Sequence, residues 1–207
     1  DFNNINVTPA ASKALKWNAS ANGFETGDVG GNMVLLSTVT ASSSATVDFT
    51  SDIDSTYKEY IFKYIDIHPA TDGAEFQVNF RDGGSAYDAT KTSTHFRAVH
   101  DEADSSTALQ YDAALHLAQS TNAQQLTENS GNGNDESSSG FLHLYNPSST
   151  TFVKHYIAVT NTYQLNNYTQ AHHIAGYCNV TAAIDGVQFS FSSGNIDAGT
   201  IKMYGIL

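Results

Sequence analysis

From Met33 onward one pattern repeats: short runs in which every second residue is apolar, separated by polar turns. Such alternation puts the apolar side chains of an extended chain on one face, so each run predicts a half-buried β-strand. The cleanest is 75–81, where Phe76, Val78 and Phe80 alternate with Glu75, Gln77, Asn79 and Arg81. Val187, Phe189 and Phe191 alternate with Gln188 and Ser190. Ile201 and Met203 take one face of a strand whose other face carries Lys202 and Tyr204. In 58–68, Tyr60, Phe62 and Tyr64 share one face and Ile61, Ile65 and Ile67 the other. Apolar residues on both faces predict a central strand. The pattern places further strands over 33–40, 45–50, 94–100, 107–117, 140–146, 151–162 and 172–181. Only 111–119 offers a helical alternative, through Leu115 and Ala118.

The turns carry their own chemistry. Asp72-Gly73 and Asp82-Gly83-Gly84 supply the positive φ that tight turns need, and Asn146-Pro147-Ser148-Ser149 reads as a hairpin loop. Regular strands with such punctuation predict an all-β fold. The expected form is a two-sheet antiparallel, jelly-roll-like β-sandwich over 33–207. An immunoglobulin-like fold is disfavoured, because the Cys…Trp…Cys spacing is absent. Residues 127–140 hold no apolar side chain and predict a long rim loop, either mobile or pinned by a neighbouring subunit.

Residues 1–32 break the pattern. They are rich in Asn, Ala, Ser and Gly, and predict an extended arm with one hairpin, Leu15-Lys16-Trp17 facing Gly23-Phe24-Glu25. Leu15, Trp17 and Phe24 are too few to bury themselves, so they are the expected assembly contacts of the arm, covered by a partner or the domain rim.

Composition narrows the function. A net charge of −12 with scattered cations argues against nucleic acid. No apolar run is long enough to span a membrane. No charged start precedes an apolar stretch, so no signal peptide is expected. The one cysteine, Cys178, excludes an intrachain disulfide and reads as a small buried hydrophobe.

The eight histidines do not assemble a metal site on paper. His172 and His173, being adjacent, point to opposite faces of a strand, and His143 and His155 are at most cross-strand neighbours without a third ligand. Asp101-Glu102-Ala103-Asp104 has calcium-binding chemistry but no EF-hand spacing, and reads as a solvated loop. Asp48, Asp52, Asp54 and Asp66 define no glycosidase pair without a distance. No nucleophile elbow or phosphate loop occurs, so no enzyme, cofactor or metal is expected. Asn-X-Ser/Thr triplets at Asn6, Asn18, Asn167 and Asn179 are as frequent as chance predicts. The best ligand candidate is 163–172, where Tyr163 and Tyr168 could form an exposed platform for a sugar, with Asn166 and Asn167 reaching its hydroxyls. The favoured reading of the same segment packs those tyrosines into the rim or a subunit interface.

Several stretches are similar to exterior structural proteins of marine tailed bacteriophages. They are 41–50 (ASSSATVDFT), 57–62 (YKEYIF), 76–84 (FQVNFRDGG), 138–147 (SSGFLHLYNP) and the ending GTIKMYG. The arm also resembles short connectors of tail-fibre proteins. The resemblance implies a fibre or decoration protein on the virion exterior, of tail or head. It further implies a homo-oligomer, most simply a trimer, bound to other virion proteins. It carries no catalytic residues. The alternative function is a carbohydrate-binding module that contacts a host surface glycan.

Overall fold

The computed structural model describes residues 13–18, 20, 22–28 and 32–207. The chain divides into two compact units, 1–34 and 35–207. In the first, β1 (Lys13–Trp17) and β2 (Phe24–Asp28) form the hairpin that the sequence predicts, with Trp17 opposite Phe24. The remainder of the expected arm, with Asn6, lies outside the described residues.

The second unit is all-β, with no helix among the described residues. Its strands are β3 (Met33–Ser44), β4 (Val47–Phe49), β5 (Glu59–Pro69), β6 (Phe76–Arg81), β7 (Lys91–Asp101), β8 (Thr107–Tyr111), β9 (Gln124–Gln125), β10 (Ser138–Tyr145), β11 (Lys154–Gln164), β12 (Tyr168–Cys178), β13 (Gly186–Phe191) and β14 (Ile196–Ile206). They form one sheet in the order β3-β14-β5-β10-β11-β12-β7-β8 and another in the order β4-β13-β6-β9. The two sheets pack face to face as a β-sandwich. Eight strands against four differ from the even division of an eight-stranded jelly roll. The 111–119 segment is not helical: β8 ends at Tyr111 and an irregular crossing follows.

The aromatic alternation makes the core. Phe62 of β5 meets Phe49 of β4 edge-on at 5.3 Å and Phe189 of β13 at 5.7 Å. Tyr64 packs on Phe76, and Phe80 on Tyr156 of β11. All of these rings are buried, and edge or offset contacts of this kind add to their area burial.

One expected facing changes. Ile67 turns inward into the core, beside Tyr64, because Asp66 takes a φ of 53° and inserts a bulge into β5. The pairing steps from Gly140↔Tyr64 to Ser138↔Ile67 across it. An extra residue in one strand reverses the alternation beyond it.

Only β5, β10 and their neighbours lie under the four-stranded sheet. Beyond it the inner face of β11, β12 and β7 is covered by the segments on either side of β9, 112–123 and 126–137. Apart from Leu115 and Leu126, which are buried, that cover is largely polar and held from within the domain. Thr127, Ser130 and Ser138 are fully buried. Thr127 Oγ1 lies 2.8 Å from Ser130 Oγ and accepts from the Phe76 amide, and Ser138 Oγ lies 2.6 Å from Thr162 Oγ1. Several residues of the low-complexity stretch are therefore pinned within its own domain.

Candidate functional site

At one end of the eight-stranded sheet, β11 and β12 are joined by Leu165-Asn166-Asn167. Asn167 takes a φ of 63°, the left-handed conformation that Asn tolerates in a tight turn. The register pairs Tyr163 with Thr169, and Thr169 with His100 of β7, so these three side chains form one row on the outer face. Asn161 sits two residues back on the same face and donates from its amide to Thr169 Oγ1 at 2.8 Å. This row floors an open cleft of about 430 Å³. Glu102 walls it on one side and Asp135 and Ser137 on the other.

Two hydrogen bonds fix the floor at the turn: the Tyr163 hydroxyl donates to Asn167 Oδ1 at 3.3 Å, and the Glu102 amide donates to Asn167 O at 3.0 Å. The nearby Glu102 carboxylate, followed by desolvation and by Asp135 and Glu136, raises the phenol pKa. A second cleft of about 520 Å³ shares Asp135 and Ser137 with the first and adds Asp66, His68, Glu136 and Asp197.

The four residues expected to form a sugar platform separate. Tyr163 and Tyr168 both line the first cleft; Asn166 and Asn167 do not. The two rings do not make one platform. Tyr168 pairs with Gln164, one residue on from the Tyr163↔Thr169 pair, so the pleat sends it to the opposite face. Asn167 is a positioning residue for Tyr163, and the Asn166 amide is tied to Gln164 Oε1 at 2.7 Å. In the hairpin of the first unit, Trp17 stacks on Phe24 with ring centres 4.4 Å apart. Trp17 remains 61 % exposed and Leu15 53 %.

The Asp101 run is occupied with itself. Both Asp101 oxygens accept from Ser105 and Ser106, and those bonds, the Ser105 hydroxyl first, lower its pKa. No cluster of three or more potential metal ligands occurs among the described residues. His143 and His155 are not partners: His143 pairs with Ile157 and bonds Glu59, while His155 pairs with Tyr177.

Sequence reasoning missed two features. The first is the outer face of β10, β11, β12, β7 and β8. Every outward side chain there is uncharged or a histidine, and Phe141, Ile157, Phe96, Leu109 and Tyr111 are exposed, Leu109 to 76 %. Phe96 stacks flat on His173 across β7 and β12 at 4.9 Å. The apolar residues were visible in the sequence, but that they all take one outward face follows only from the pairing of these strands.

The second is a buried polar layer on the inner face. His95 Nε2 lies 2.9 Å from His172 Nδ1, and His172 Nε2 lies 3.2 Å from Gln170 Oε1. Further along, Cys178 is flanked across the ladder by Lys154 and Lys91, both buried. Lys91 Nζ donates to Ala89 O and Asn79 Oδ1, and Lys154 Nζ to Val180 O. Burial pushes the Cys178 thiol up to about 12 and the Lys91 ammonium down to about 8. The lysines tie loops to the sheet, and the thiol is buried between them.

No protein-family model and no curated protein matches this chain.

Proposed function

We propose that this protein is a non-enzymatic structural component of the exterior of a tailed-phage virion. In this reading it is a fibre or decoration protein held by its N-terminal arm and by copies of itself, most simply as a trimer. The virion assignment rests on the sequence resemblance. The observation that carries self-association is the outer face of β10, β11, β12, β7 and β8, broad, apolar and without fixed charge. A surface patch of that kind marks an interaction site. The partner is a second copy by a charge argument. Two chains of net charge −12 repel each other over most of their surfaces. They meet at least electrostatic cost where neither carries a charge, and burying Phe96, Leu109 and Phe141 there supplies the attraction. The exposed Trp17–Phe24 stack gives the arm an anchor of the aromatic type enriched at interfaces.

Light scattering of the full chain tests the assembly. The expected result is a trimer, reduced to monomer by Phe96→Asp with Leu109→Asp. A monomer at high concentration removes self-association from the proposal. Emission from Trp17, the single tryptophan, is expected to shift to the blue when the arm docks on a partner. An antibody raised against residues 35–207 is expected to label intact particles, and unlabelled particles would remove the virion assignment.

A further inference from the structure

We propose that the clefts at the Tyr163 end of the sandwich form one glycan-binding groove, selective for uncharged sugars over anionic ones. This site lies at the turn end of the same outer face, beyond the apolar residues Phe96, Leu109 and Phe141 used for assembly, and the inference does not rest on the virion reading. Its first part, about 430 Å³, falls within the size range of small-ligand pockets. Its floor has the two components that a pyranose ring requires. Tyr163 supplies an aromatic surface for the apolar C–H side of a sugar. Asn161, Thr169 and Ser137 supply neutral donors and acceptors for its hydroxyls.

The second part, about 520 Å³, continues past the shared wall of Asp135 and Ser137. Together they accommodate more than one sugar unit along the rim. The floor is preorganised. The Tyr163 hydroxyl is held by Asn167, Asn161 is bonded to Thr169, and the turn is locked to the next loop through Glu102 N–Asn167 O. A site built in advance loses little freedom on binding.

The charge of the walls decides the ligand class. Glu102, Asp135, Asp66 and Asp197 are exposed carboxylates around the groove. Arg81 and Arg97, the two arginines of the chain, line neither cleft, and neither does a lysine. A carboxylate accepts hydrogen bonds from the hydroxyls of a neutral sugar but repels a uronic or sialic acid. Anionic glycans therefore meet several like charges and, among the residues lining the clefts, no lysine or arginine.

The test is a titration of the full-length protein followed by NMR, with maltotriose and lactose as neutral probes. Sialyllactose and digalacturonate serve as anionic probes and spermidine as a plain cation. Saturable shifts are expected for Asn161, Tyr163 and Thr169 with a neutral probe in the millimolar range or below. Anionic probes should bind at least about tenfold more weakly. Tyr163→Ala should lose binding with its circular dichroism and oligomeric state unchanged. Should that variant misfold, Thr169→Val, which keeps the shape and removes the hydroxyl, should weaken binding with the fold intact. Glu102→Gln should narrow the gap between neutral and anionic probes. Three results would overturn the proposal: no saturable shift with either neutral sugar, equal binding of anionic sugars, or spermidine shifting the same residues as strongly as the sugars do.

Discussion

The imidazoles of His95 and His172 meet inside the domain, Nε2 to Nδ1 at 2.9 Å, on adjacent strands that are far apart in sequence. The His172 Nε2–H donates onward to Gln170 Oε1, which leaves Nδ1 to accept from His95. The chain runs in one direction and requires a neutral His172, whose Nδ1 must accept. Burial, with Arg97 nearby, depresses their pKa values to about 4 for His95 and, with His95 also beside it, about 3 for His172.

Acid sensitivity follows. Below an ordinary pKa of 6.5 the unfolded chain takes up protons that the folded chain refuses until about pH 4 and about pH 3. The stability these rings contribute is complete above 6.5 and lost as pH falls through that window. The slope approaches about 1.4 kcal/mol per pH unit for each ring. Melting temperature is expected to fall between pH 6.5 and 4, and His172→Gln should reduce that dependence by about half.

Arg97 is the tie beside that pair. Its guanidinium reaches Asp112 Oδ2 at 3.3 Å and pairs with Glu128, joining β7 to two separate points of the polar cover. Arg97→Met leaves two half-buried carboxylates facing each other without a cation. The expected cost is about 2–4 kcal/mol, read from denaturant unfolding. Arg97→Lys should rescue only part of it, because one ammonium cannot span both partners with the planar fork.

Ser130 is the hub of the buried hydroxyl cluster. Its Oγ contacts Thr127 at 2.8 Å and Thr162 at 3.3 Å, and its amide and carbonyl bond Ala74 O and Gly73 N. Ser130→Ala should cost about 1–3 kcal/mol by leaving those hydroxyls short of a partner. Hydrogen exchange of residues 127–137 is expected to accelerate while the β13–β6 pair stays protected.

Gly199 faces the Asp66 bulge at a φ of +120°. A Cβ there would lie 2.7 Å from Asp66 O and 2.8 Å from Ile67 Cδ1. Gly199→Ala is expected to cost about 1–3 kcal/mol through backbone strain alone, plus the displacement of Ile67. A melting temperature equal to the wild type would show that the bulge can relax.

The strands at 75–81, 186–192 and 200–206 and the hairpin around 18–22 were legible because their signals are local: a two-residue period and turn residues. The inward faces of Phe76, Val78, Phe80, Phe189, Ile201 and Met203 followed from the same period. The facing of Ile67 did not, because a bulge is a property of two paired strands and its causes, Asp66 and Gly199, lie far apart in sequence. Tyr163 was legible as a ligand candidate from its type and company. Its separation from Tyr168 was not, since one step of register assigns each ring its face. Pairing β12 with β7 brought His172 to His95, and Thr169 to His100 in the cleft floor. No local pattern encodes that choice of neighbour, which the packing of the whole sheet settles. Local alternation determined which residues seek burial; the order of strands decided which of them found a core, which met each other as polar pairs, and which were left facing outward.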